Sequence, residues 1–184
     1  MTDSILNIVA PWINREKEEQ EADKEKFSEL LTILDPQRMS DWFDDLHTSS
    51  YLMEKNVMMD GYFSFIDLPS TYFHRRKLTN KYKKFNKSFG NLRGFLLTHF
   101  FVNTNAREFV QLYPELKSSD PVLYSQRLSE LKELIRDAQE KYNSLIVAGR
   151  EKYVGTMTAI ISLLLLITVA VPGLSYLIEK LFIQ

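Results

Sequence analysis

Residues 154–178 carry no charged side chain, and no other feature limits the possible folds of this chain so strongly. As one helix the stretch would extend ~37 Å at roughly 1.5 Å per residue, while a hydrocarbon core of about 30 Å needs only ~20 residues. A buried core helix would usually show a polar residue in each turn. Residues 160–171 offer only Ser162 and Thr168, both able to bond back to the helix's own carbonyls. The expectation is a single transmembrane helix at 154–178 with a short tail at 179–184. Arg136, Lys141, Arg150 and Lys152 precede it and only Lys180 follows. The positive-inside rule then predicts a single-pass, tail-anchored protein with its N-terminal domain cytoplasmic, as in a bacterial inner membrane. Pro172 and Gly173 predict a kink in the span. They are read either as ordinary tolerance or as a bend that shapes an assembly or pore.

The net charge of -1 conceals three unlike regions. Residues 1–67 hold 15 acids and 6 Lys/Arg, residues 68–107 hold 9 Lys/Arg and no acid, and residues 108–184 hold 9 acids and 8 Lys/Arg. Such asymmetry points to an anionic partner or to mutual neutralisation of the regions. Cysteine is absent, which removes disulfide frameworks, thiolate nucleophiles and cysteine-ligated zinc. Residues 4–10 are too short, and lack the preceding basic residues, for a signal peptide.

Apolar spacing predicts an all-α helical bundle. Residues 1–14 form a short apolar N-terminal segment, and the helical domain covers 15–153. Phe27, Leu30, Leu31 and Leu34 mark a first helix over 15–34, and Met39, Trp42, Phe43 and Leu46 mark a second. Asp35-Pro36 and Asp120-Pro121 read as caps followed by a first-turn proline. Residues 51–59 read as a third helix, residues 61–68 as a short strand or irregular segment, and Phe109, Leu112, Tyr113 and Leu116 as a short helix. Two heptad seams stand out as coiled-coil-like. One is Leu78, Tyr82, Phe85, Phe89, Leu92 and Leu96; the other is Tyr124, Leu128, Leu131, Ile135, Ala138, Tyr142 and Leu145. The second predicts a long helix from about residue 121 running without a hinge into the membrane span. The seams pack against each other within the chain, or between chains in an oligomer or against a protein partner. Gly90 and Gly94 predict a close helix crossing.

The basic run supplies the foremost candidate site: Arg75, Arg76, Lys77, Lys81, Lys83, Lys84 and Lys87. These cations could pair with the acids of the first half, rest on anionic lipid headgroups, or neutralise phosphates of RNA or a nucleotide. Tyr82 and Phe85 belong to the seam, which argues against base stacking by these two. Asp41, Asp44, Asp45 and His47 crowd the second helix, but no second carboxylate–imidazole pair matches them. The acids suit the positive end of the helix dipole, so no metal and no cofactor is expected.

Arg93-Gly94-Phe95-Leu96-Leu97-Thr98-His99 fits an R-x(4–6)-H pattern and resembles, over seven residues, the HEPN-type ribonucleases. That resemblance implies an Arg93/His99 pair acting on an RNA phosphodiester at a dimer interface. Gly94 departs from the polar residue usual after the arginine. On one helix the two side chains would point about 120° apart.

Three functional expectations follow. The first is a non-enzymatic membrane adaptor or pore-type effector whose helical domain self-assembles or binds a partner. The others are a membrane-tethered HEPN-like ribonuclease and a lipid- or nucleic-acid-binding module built on the basic helix. Usage rich in Lys, Asn, Ile, Phe and Tyr fits a bacterial or phage-related accessory gene, and with it antiviral defence.

Overall fold

The computed structural model describes residues 2–68, 72–104 and 106–151. The elements run α1 (Thr2–Ile33), α2 (Pro36–His47), β1 (Ser50–Leu52), a one-turn 3-10 helix (Met53–Lys55), α3 (Asn56–Ile66), α4 (Arg76–His99), β2 (Phe100–Val102), β3 (Phe109–Leu112), α5 (Leu116–Ser119) and α6 (Pro121–Arg150). The chain divides into two compact units, residues 1–21 with 152–184, and Ala22–Glu151. Of the first, the described part is helical, and Arg15 pairs with Glu19 one turn further on at 2.9 Å.

The second unit is built around α4 and α6. Leu78, Tyr82, Phe85, Phe89, Leu92 and Leu96 are all buried, as are Leu131, Ile135, Ala138, Tyr142 and Leu145. Lys77 meets Glu151, Phe85 meets Tyr142 and Ser88 donates to Asp137, so partners step down α6 as α4 steps up and the helices are antiparallel. Both seams are thus spent inside the chain at these positions, whereas Tyr124 and Leu128, which begin the second, are only half-buried. Trp42, Phe43, Tyr62, Phe85 and Phe89 fill the centre with edge-on and tilted rings and one stacked pair, Phe85 on Phe89. The hydroxyl of Tyr142 donates to the carbonyl of Leu34 at 2.6 Å, satisfying one acceptor at the end of α1. Asp35 accepts from the amides of Gln37 and Arg38, and Asp120 from that of Leu123, each ahead of a first-turn proline.

The fold is mostly helical, with a small antiparallel sheet in the order β1-β3-β2 that the apolar spacing does not announce. Residues 50–52 form a strand rather than a helix start. Residues 61–66 belong to α3 rather than to a strand. Residues 109–112, expected as helix, are β3. The reason is pattern length: a four-residue strand with Val110 and Leu112 buried and Phe109 and Gln111 half-buried yields apolar spacings that mimic one helical turn. Aromatic and β-branched residues favour the pleated form there. The backbone enters β1 at Ser49 and leaves β3 at Tyr113, both at positive φ (61° and 34°).

Among the described residues no helix is long and apolar enough to cross a membrane. The described helices therefore do not support the membrane placement expected from the sequence: the single-pass, tail-anchored topology and the bacterial inner-membrane location with a cytoplasmic N-terminal domain. The long helix α6 is studded with charge (Arg127, Glu130, Lys132, Glu133, Arg136, Asp137, Glu140 and Lys141). The expected unbroken rod also ends early: Glu151 turns to an extended conformation (φ -62°, ψ 138°) after Arg150. The stretch 154–178, with Pro172 and Gly173, lies outside the described residues.

The glycines are corrected too. A side chain at Gly90 or Gly94 would meet nothing within 4 Å, so this pair mediates no close crossing. The close approach is at Gly149, where a Cβ would fall inside the ring of Phe27. The double change Gly90→Ala and Gly94→Ala is expected to stabilise the fold by about 1–2 kcal/mol, because alanine restricts the unfolded chain and favours helix. A thermal melt shows this as a midpoint raised by a few degrees; a lowered midpoint would restore the close crossing.

Candidate polyanion-binding face

The start of α4 is fixed from a distance. Asp23 on α1 is buried (2% exposed) and accepts from the amides of His74 and Arg75 at 2.6 and 2.9 Å. It caps a helix whose own N-cap residue, Arg75, provides no side-chain bond. Arg75 in turn approaches Asp23 at 3.7 Å and donates to the carbonyls of Glu151 and Gly149 at 3.0 and 3.4 Å. A guanidinium here also suits the negative end of the α6 dipole. Lys77 pairs with Glu151 at 2.6 Å. Arg75 and Lys77 therefore serve as internal fasteners between α1, α4 and α6.

The rest of the basic run behaves differently. Arg76, Lys83, Lys84 and Lys87 are exposed and have no ion-pair partner among the described residues. At 100° per residue they lie on the side of α4 opposite its buried seam, spread over roughly 16 Å of helix. Lys81 is half-buried and borders, with Lys77, Glu140 and Ser144, an open depression of about 370 Å³ between α4 and α6. Among the described residues of this unit, no acid of the first half forms an ion pair with these four cations: Asp23 takes Arg75, and Asp45 takes Lys55 at 2.6 Å.

At the head of the same face stands Tyr72, 63% exposed, with the ammonium of Lys83 5.9 Å from its ring centroid. This aromatic was missed from the sequence because it precedes α4 and falls on no periodic position. Asp23 was missed because it sits in a charge run that reads as solvated. Its spacing to Phe27, Leu30 and Leu34 is that of the buried stripe, and this was the available signal.

Arg93 and His99 are not brought together. Arg93 lies over the ring of Phe63 at 4.2 Å and near Asp60 at 3.4 Å, against α3. The Nδ1 of His99 is 2.6 Å from the hydroxyl of Tyr113, at the sheet. Burial, and then the charge of Arg127, hold the His99 imidazole below its ordinary pKa. Asp41 is engaged by the side-chain amide of Gln37 at 2.7 Å. Among the described residues no three carboxylates or imidazoles converge on a metal-sized site.

What this arrangement offers chemically is a row of fixed positive charges on a straight, convex ridge with one aromatic at its end. No family model, curated protein or solved structure matches the chain.

Proposed function

We propose that the unit Ala22–Glu151 is a binding module that holds a phosphodiester chain, single-stranded nucleic acid, along the solvent face of α4. The observation that carries this reading is the division of the basic run. Two of its cations fasten the fold, while Arg76, Lys83, Lys84 and Lys87 face solvent with no ion-pair partner among the described residues. Cations with no ion-pair partner gain most by replacing the counterions condensed along a phosphodiester chain. Tyr72 adds an exposed ring on which a base can stack without sequence preference. A single nucleic-acid strand suits the ridge better than a lipid surface, because the charges follow one convex helix whose apolar seam is turned into the core.

The test is fluorescence anisotropy of a labelled single-stranded oligonucleotide on the full chain, with the fourfold change Arg76→Gln, Lys83→Gln, Lys84→Gln and Lys87→Gln. Binding at low salt is expected to fall by about two orders of magnitude. The slope of log K against log salt should lose roughly 3, near 0.7 per lost contact. Thermal stability should be little changed, since these side chains bridge to no acid. An affinity equal to that of the unaltered chain would overturn the proposal. So would capture by vesicles containing anionic lipid with no oligonucleotide binding.

A further inference from the structure

We infer that two copies of this chain associate by antiparallel pairing of β2 with β2, centred on Val102. Strand β2 lies at one edge of the sheet, with β3 on its inner side. Its register pairs Phe100 with Leu112, Phe101 with Gln111 and Val102 with Val110. The amide of Asn103 bonds the carbonyl of Phe109, and that of Tyr113 bonds the carbonyl of His99. In an antiparallel ladder bonded pairs alternate, so residues 99, 101 and 103 turn their peptide groups toward β3. Phe100 and Val102 turn theirs outward. The amide of Phe100 is spent on the carbonyl of Leu96 at the end of α4. Val102 thus presents both a donor and an acceptor at the outer edge.

The occupant follows from three observations. A donor and an acceptor on one residue satisfy each other across a two-fold axis, which an identical strand supplies at once. Between Arg93 and Arg107 the only ionisable side chain is His99, so two copies running antiparallel place no like charges opposite one another. The edge also lacks the usual protections: it carries no Lys, Pro or charged residue, while Phe101 and Val102 are 47% and 46% exposed. Beside it lies an open groove of about 380 Å³, whose apolar border (Phe101, Val102, Pro114 and Leu116) can receive apolar side chains of the second copy while Glu115 and Ser119 line its polar part. The pairing yields a continuous six-stranded sheet.

The absence of cysteine makes the test direct. With Val102→Cys the two thiols face each other across the axis, within reach of a disulfide. Under mild oxidation by dioxygen the full chain should form a covalent dimer about tenfold faster than either control, Val122→Cys or Val57→Cys, whose parent residues are exposed on helices. A second arm is Val102→Pro, which deletes only the outward amide and leaves the ladder to β3 intact. Sedimentation should show a concentration-dependent dimer for the unaltered chain and a monomer for Val102→Pro at equal thermal stability. Cross-linking no faster than the controls would overturn the inference, as would a dimer that persists in Val102→Pro. These readings need no oligonucleotide, so they succeed or fail separately from nucleic-acid binding.

Discussion

Above about pH 10 the protein is expected to unfold cooperatively, driven by four tyrosines. Tyr51, Tyr62, Tyr82 and Tyr142 are all 4% exposed or less. Burial pushes the hydroxyls of Tyr51 and Tyr82 up to about 12. It drives Tyr62 and Tyr142 further, aided by the neighbouring Tyr82 and by the charge of Asp35 respectively. The folded chain keeps these protons while the unfolded chain releases them near the ordinary value of 10.0. The unfolded state therefore binds fewer protons above that pH, and stability falls as pH rises. Their contribution is complete below pH ~10 and is lost through the window up to about 12 and beyond. Each tyrosine costs about 1.4 kcal/mol per pH unit, so four together remove roughly 5 kcal/mol per unit. Against a typical total of about 5–15 kcal/mol, one to two units suffice. Circular dichroism should change together with the part of the tyrosinate absorbance that these four rings contribute, beyond that of the other five tyrosines of the chain. The double change Tyr62→Phe and Tyr82→Phe should halve the slope and move the midpoint upward. Tyrosinate absorbance exceeding what the other five tyrosines of the chain can supply, while the helical signal persists, would show that these hydroxyls reach water in the folded state.

Replacing Asp23 by alanine is expected to cost about 3 kcal/mol, although the residue lies in the most charged part of the sequence. The change removes the acceptor for two amides at the start of α4, and bonds to a charged acceptor are each worth roughly 1.5–3 kcal/mol. It also leaves Arg75 beside an empty site between α1 and α6. Asp23→Asn, which keeps one acceptor oxygen, should recover part of the loss. Urea unfolding followed by circular dichroism measures both. A midpoint within about 0.5 kcal/mol of the unaltered chain would mean that water caps α4 as well as the carboxylate does. Glu25, two residues away and exposed, is the control and should tolerate alanine with almost no effect.

The heptad spacings of α4 and α6 were legible because a long helix repeats its buried face often enough to rise above coincidence. The seams at Leu78–Leu96 and Leu131–Leu145 are buried as that spacing requires. The caps at Asp35 and Asp120 were legible because capping is local chemistry, settled within three residues. The sheet was not legible. Strands of three and four residues are too short to display a period, and what makes them strands is pairing: β1 with β3 across some 60 positions, as Tyr51 with Val110, and β2 with β3 across about ten, as Phe101 with Gln111. At 154–178 apolarity alone led to the expectation of a membrane span; that stretch lies outside the described residues, and none of the described helices is long and apolar enough to cross a membrane.

Composition by itself determined that the middle of this chain would be a basic helix with one buried face, since charge and period are both written in consecutive residues. Only the tertiary structure decided which cations of that helix are spent. Asp23 and Glu151 lie about 50 and 75 residues from the groups they hold, and no local pattern records such a distance. Arg75 and Lys77 were claimed because α1 and the end of α6 arrive beside them. Arg76, Lys83, Lys84 and Lys87 point to solvent because the same packing turned their side of α4 outward.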